Sequence, residues 1–402
     1  MKKRSILLAC TAAALTAILG ILVSSGMVSF SRGKSSTAAT SSTGATDTSS
    51  ASYINLPSGY PRPTNIAVDS NGVVWFWAST QQQVTLFHWI PGTTSLEQTA
   101  VGSPAHLGLI TGVQNAIAID NSGTAWLAAN MNVVTVTPST GATSSVSVPG
   151  LPVITIENSL RPTQLQGLQA ISALAAGPDD QVAIAASDAA AIAVLNSSTR
   201  TFRNIPLPAG YEATDVAYTS DGTLAIDVAS IDPRVSGNQL LLVPPGSQTV
   251  SLEKGIGGRR ISVDGNQIYN GADATVVSTA GSQTTNQVAA TALQNGSLSL
   301  MPSSAVTVLG STVAFQTPSG IGLVGSSAAS TFTLPTFSCG STASGPLLPV
   351  SQDTAVTAPP DHQCAETATE LVAAKNGIAF LPSGPTPSIG YLPQGDTSAA
   401  RS

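Results

Sequence analysis

Three histidines, His88, His106 and His362, and three cysteines, Cys10, Cys339 and Cys364, are all that this 402-residue chain offers of the side chains most used for acid–base, nucleophilic and metal chemistry near neutral pH. Their surroundings argue against a catalytic role. His88 lies between Phe87 and Trp89 in an apolar run, His106 follows Pro104-Ala105, and His362 falls in a Pro/Gly/Ser-rich stretch. Each reads as a surface or packing histidine. No Gly-x-Ser-x-Gly elbow, His-Glu-x-x-His pair, phosphate-binding glycine loop or EF-hand series occurs. No Cys-x-x-Cys is present, and His362 lacks a second ligand. The chain is therefore expected to have no catalytic motif, no cofactor and no metal site.

Cys339 and Cys364 stand 25 positions apart. In an exported protein such a pair is expected to form a disulfide. Export is read from the N-terminus: Met1-Lys-Lys-Arg4 precedes residues 5–30, 26 positions without a charge. At ~1.5 Å per residue that run spans ~30 Å of hydrocarbon, and the positive start stays in the cytoplasm. The small residues Ser24, Ser25 and Gly26 also suit signal-peptide cleavage, so residues 1–34 are a signal peptide or a membrane anchor. Leu7-Leu8-Ala9-Cys10 resembles a lipobox, but too few apolar residues precede it. Residues 35–52 hold no aromatic or large aliphatic side chain and form a flexible Ser/Thr/Ala-rich linker, leaving 53–395 as the folded domain and 396–402 as a tail.

Only 9% of residues are charged. From residue 53 onward there are 20 acids and 10 bases, a balance of −10 that repels phosphate backbones, so no nucleic-acid partner is expected. The shortage of bases also suits an acidic exterior. The membrane is contacted through the N-terminal segment alone, and the chain is expected to be a monomer.

The elements that must position any site are short strands. Pro63-Thr-Asn-Ile-Ala-Val-Asp-Ser-Asn-Gly-Val-Val-Trp-Phe-Trp reads as strand, tight turn, strand, and Gln114-Asn-Ala-Ile-Ala-Ile-Asp-Asn-Ser-Gly-Thr-Ala-Trp repeats it 51 positions later. Weaker copies follow at 171–187, 214–230, 260–272, 305–317 and 370–383. Their turns lie near 72, 123, 180, 222, 265, 310 and 377, with most intervals between 42 and 57 and a longer last interval that contains the cysteine insert. This period is that of a four-stranded propeller blade. The expected fold is all-β: a seven-bladed β-propeller, with six or eight blades as the neighbouring counts. The Asp-x-x-Gly turns need no calcium, because turn chemistry accounts for them.

Ile66-Ala-Val-Asp-Ser-Asn-Gly-Val-Val-Trp-Phe76 resembles the repeat of NHL-type propellers and of the virginiamycin B lyase-like family. The resemblance covers the first two units, about 61–140, closely and the remainder in outline. It implies the propeller fold. In those lyases, histidines and a glutamate near the channel work with magnesium, a pattern that none of the three histidines here matches.

The remaining candidate is the channel. Asn65 marks an axis-facing inner-strand position, and its equivalents are Ala116, Ala173, Asp215, Arg260, Ala305 and Glu370. Arg260 would sit between Asp215 and Glu370 in an alanine-lined tunnel, either as a ligand-binding cluster formed with Asn65 or as a self-neutralised plug. The expected role is an extracytoplasmic binding or interaction module for a protein, peptide or carbohydrate ligand. The alternatives are a propeller lyase or lactonase-type hydrolase and a structural cell-surface protein.

Overall fold

The computed structural model describes residues 51–107, 116–129, 132–150, 156–158, 161–163, 171–186, 189–232, 239–253, 260–270, 275–279, 282–294, 296, 305–338 and 363–393. Residues 1–50, Cys339 and His362 lie outside them, whereas residues 51 and 52, the last two of the expected linker, are described.

Seven four-stranded antiparallel sheets follow one another along the chain. In the first blade the strands are Ala67–Val68, Val74–Ser79, Val84–Trp89 and Leu96–Gly102. The inner strands of blades two to six start at Ile117, Ile171, Tyr211, Ile261 and Val306. The seventh blade takes three strands, Ala368–Ala374, Gly377–Pro382 and Ser388–Pro393, from the end of the chain. Its fourth is Ser52–Asn55, paired through Ser52 with Tyr391 and Asn55 with Ser388. The two ends of the domain are thus hydrogen-bonded into one sheet, and the ring is closed. Two further strand pairs, 156–158 with 161–163 and 336–338 with 363–365, form separate two-stranded sheets.

The second strands are apolar on both faces because each blade is packed from both sides. Val74, Phe76 and Ala78 point into a cluster with Ala379, Leu381 and Ile389 of the seventh blade. Trp75 and Trp77 of the same strand join Ile117, Leu127 and Val134 of the second. The core is therefore a series of clusters, each shared by neighbouring blades, and no blade buries its own surface without its neighbours. An eight-residue helix, Gln287–Gln294, adds Ala289 and Ala292 to the interface between blades five and six.

The Asp-x-x-Gly-x-x-Trp spacing has a direct structural cause. Asp69 Oδ1 accepts hydrogen bonds from the amides of Asn71 (2.8 Å) and Val73 (3.0 Å), while Oδ2 accepts from Trp75 Nε1 at 3.0 Å. Asp120 repeats this with Ser122, Thr124 and Trp126 Nε1 (2.9 Å). One carboxylate thus closes the turn and fixes the indole of the next strand, so both of its oxygens are engaged by the protein. Gly72 has φ of 77°, and a Cβ there would fall 2.5 Å from Lys375 Cβ in the seventh blade's turn. The glycine therefore serves both the turn and the closing interface.

Candidate functional site in the channel

The inner-strand register can be checked by cross-strand pairing. Asp215 faces Asp227, Glu370 faces Leu381 and Ala173 faces Ala185. Asn65, Ala116, Ala173, Asp215, Arg260 and Glu370 all line one cavity of about 310 Å³ around the axis. Ala305 is the exception: it is 1% exposed and packed with Ala314 and Leu371, and Val306, Thr307 and Val308 line the cavity in its place.

Asp215 and Glu370 share a device that the spacing of the repeats does not reveal. In blades three, four and seven the ladder slips between 171 and 173, 213 and 215, and 368 and 370. Each bulge leaves one hydroxyl residue, Ser172, Thr214 or Thr369, out of register, and re-aims the residue that follows it. Thr214 Oγ1 donates to Asp227 Oδ2 at 2.7 Å, Thr369 Oγ1 to the Leu381 carbonyl at 3.2 Å, and Ser172 Oγ to the Ala213 carbonyl of the next blade at 3.3 Å. A Ser or Thr precedes the axis-facing residue at each of these bulges, but Thr64 and Ser304 stand in the same place before Asn65 and Ala305, in blades whose described inner-strand ladders show no slip, so residue type alone does not locate them.

The three ionisable side chains meet asymmetrically. Arg260 Nη2 lies 3.1 Å from Glu370 Oε2, with side chains 23% and 13% exposed. The approach is not aligned as a hydrogen bond, and Oε2 has no hydrogen-bond partner among the described residues. Asp215 is held differently from the expected symmetric sandwich: Oδ2 accepts from the Ile261 amide at 3.0 Å and Oδ1 from the Val216 amide at 2.9 Å. Backbone donors were available because Ile261 opens the adjacent blade beside Asp215, and they satisfy a carboxylate with no loss of side-chain freedom. Arg260 is then left to reach past the sixth blade to the seventh.

Burial decides the charge state of the cluster. Desolvation raises the Glu370 carboxyl to about 7, against the pull of Arg260 and with some help from the Asp215 charge. Desolvation also raises Asp215, opposed by Arg260 and the two amides. Arg260 is held more firmly protonated, chiefly by Glu370. The site therefore presents a fixed guanidinium beside a carboxyl that exchanges its proton near neutrality.

His88 does not join it. His88 sits on the third strand of blade one, stacked on Trp75 with ring centroids 4.5 Å apart, and its Nε2 is 2.9 Å from Glu97 Oε2 across the outer ladder. His106 is in the short helix Pro104–Leu107. Cys364 lies in the strand Gln363–Ala365, and Ser338, the neighbour of Cys339 in the chain, pairs with Gln363. The expected Cys339–Cys364 bond itself falls outside the described residues. A second and larger cavity between blades three and four involves none of the candidate site residues read from the sequence.

No protein-family profile and no curated protein matches the chain. Among solved structures, a streptogramin B lyase aligns with a TM-score of 0.55 at 12% identity, over 85% of this chain and 96% of that one. Virginiamycin B lyase from Staphylococcus aureus aligns at 0.53 with 15% identity, over 86% and 99%. RRP9 WD40 repeats align almost as well, at 0.52 with 9% identity over 85% and 97%. At such identities the likeness is one of fold, and the chain is a seven-bladed β-propeller similar in architecture to the virginiamycin B lyases.

Proposed function

We propose that this protein is an extracytoplasmic binding module, tethered by its N-terminal segment, that takes a small polar ligand into the channel at Arg260 and Glu370. The observation that carries this reading is the under-satisfied pair: two ionisable groups 3.1 Å apart, with Glu370 Oε2 lacking a hydrogen bond, facing a cavity of about 310 Å³. A plug that only neutralised charge would gain from an aligned hydrogen bond; a recognition site keeps that capacity for its ligand. Arg260 offers N–H donors to a carbonyl or carboxylate, and Glu370 offers an acceptor to an amine or hydroxyl. The cavity is at the lower end of the usual range of about 300–1,000 Å³, which suits an amino acid, a dipeptide or a single sugar.

The test is a thermal-shift screen of the full chain with free amino acids, dipeptides and hexoses. A compound that raises the melting temperature of the wild type and not of Glu370→Gln supports the reading. If no compound discriminates the two, the cluster is structural.

An enzymatic reading is favoured by one observation, the Glu370 carboxyl at about 7, which is suited to general acid–base work at neutral pH. Ring opening of a lactone by the wild type, abolished in Glu370→Gln, would decide for it.

A further inference from the structure

Both charged partners of the channel cluster keep unspent hydrogen-bonding capacity. Among the described residues no donor reaches either oxygen of the Glu370 carboxyl and no acceptor takes an Arg260 N–H, although the two groups lie 3.1 Å apart. Glu370 Oε2 is buried against the guanidinium, so the carboxyl meets the cavity through Oε1. Asp215 differs, because its two oxygens already accept the Val216 and Ile261 amides. What the channel offers a ligand is therefore one guanidinium and one carboxyl side by side.

Charge narrows the choice. A lone carboxylate on Arg260 would bring a third acid beside Asp215 and Glu370, and a lone ammonium on Glu370 would face the guanidinium, so each leaves one repulsion uncompensated. A ligand bearing both charges answers both groups, with its carboxylate accepting from the guanidinium and its ammonium donating to the carboxyl. A sugar has no charge to give to either.

Spacing narrows it further. The two protein groups are in contact, so the two charges of the ligand must also be neighbours. In an α-amino acid they sit on one carbon, whereas in a dipeptide a further Cα–Cα step of about 3.8 Å parts them. Asn65, on the blade next to that of Glu370, adds an amide to the lining. Beyond Asp215, Arg260 and Glu370 no charged side chain lines the cavity, and Ala173, Ala217 and Ala373 are small enough to leave room for a short side chain but offer no counter-charge to an ionised one.

We infer that the channel ligand is an α-amino acid with a short neutral side chain, bound through its carboxylate to Arg260 and through its ammonium to Glu370, an assignment that rests on the channel-binding reading given under Proposed function.

Isothermal titration calorimetry of the full chain tests this with glycine, L-alanine and L-valine, beside propionate and ethylamine, which each lack one charge of alanine, and beside dialanine, L-lysine, L-glutamate and glucose. At least one of the three neutral amino acids should bind, with propionate and ethylamine at least tenfold weaker. Glu370→Gln, which keeps the shape of the side chain, should weaken that amino acid about tenfold or more, the effect of one lost charge-assisted hydrogen bond, and should leave propionate no weaker than in the wild type. An amino acid that binds Glu370→Gln as tightly as the wild type, a single-charge analogue that matches alanine, or a preference for lysine or glutamate would overturn the assignment. Glucose or dialanine bound in preference to the amino acids, and lost in Glu370→Gln, would overturn it while leaving the channel as a binding site. Binding of none of these compounds would overturn both.

Discussion

Arg260 and Glu370 approach to 3.1 Å although a whole blade separates the strands that carry them. The contact crosses the axis because the intervening blade offers only Ala305 at the equivalent position, and that residue is buried in its own interface. Among the described residues, the guanidinium is then the one cation close to two carboxyls that have little access to water.

Removing that cation should destabilise the fold. Arg260→Ala leaves Asp215 and Glu370 facing the same cavity without compensation, and because both side chains of the pair keep some exposure we expect a loss of about 2 kcal/mol, below the 3–5 typical of fully buried pairs. Chemical denaturation checks this. Pairing it with Glu370→Gln should restore most of the loss, since the double variant carries one carboxylate in place of two. An Arg260→Ala variant as stable as the wild type would mean that the side chain does not face the axis.

The Glu370 carboxyl also sets a direction for pH. Its folded-state value of about 7 lies above its ordinary 4.5, so between those values the folded state binds the proton that the unfolded chain has released. Stability is then full below about pH 4.5 and is lost as pH rises through 7, by up to roughly 3 kcal/mol for this group. Asp215, raised in the same sense, adds to the slope. Melting curves from pH 5 to pH 8 should fall, and Glu370→Gln should flatten them. A wild type that is most stable at pH 8 would contradict the burial of this carboxyl.

The turn carboxylates should matter without any metal. Asp120→Ala removes the acceptor of the Ser122 and Thr124 amides and of the Trp126 indole at once. With Trp126 only 2% exposed, the orphaned indole N–H makes a loss of about 2–3 kcal/mol the expected outcome. Added calcium or a chelator should leave the wild-type melting temperature where it is; a calcium-dependent rise would reassign these turns as ligands.

Much of this architecture could be read from residues 63–130, where a Gly turn between two apolar strands recurs with its Asp and Trp, and where the inner-strand position of Asn65 could be carried from copy to copy. Six of the seven positions derived in that way line the cavity. Two features escaped. The bulges before Asp215 and Glu370 alter the ladder without altering repeat length, so spacing does not record them. The cavity at Arg203 and Tyr218 is assembled from the outer strands of one blade and the turns of the next, where the repeats have least in common. Propeller periodicity encodes the interfaces that every blade must form, and a cavity at one interface departs from that pattern.

The cysteine insert supplies a prediction of its own. Ser338 pairs with Gln363, which brings the chain neighbours of Cys339 and Cys364 together in one ladder. A disulfide across the 25-position loop should contribute about 3 kcal/mol by the chain-entropy estimate. Protein produced in an oxidising compartment should melt at a lower temperature in reducing agent, and titration of two free thiols in the untreated protein would remove the bond.

Ring closure depends on a strand that contributes only four residues. Ser52–Asn55 completes the seventh blade, Tyr53 meets Phe380 edge to face at 5.9 Å, and its hydroxyl donates to Glu366 Oε2 at 3.4 Å. Glu366 is 9% exposed, and its Oε1 stands so near Gly384 that a Cβ there would collide with it. The amide of Leu56 adds a bond to the Pro387 carbonyl at 3.0 Å. A chain starting at residue 51 should therefore melt like the full-length protein, whereas one starting at residue 57 leaves the edge of Ser388–Pro393 open and uncovers part of the cluster beneath Leu56. The shorter chain should lose several degrees of melting temperature and associate through the exposed edge, as light scattering would register. Equal melting temperatures for the two truncations would mean that the seventh blade stands on three strands, and that the interface between blades seven and one closes the ring by packing alone.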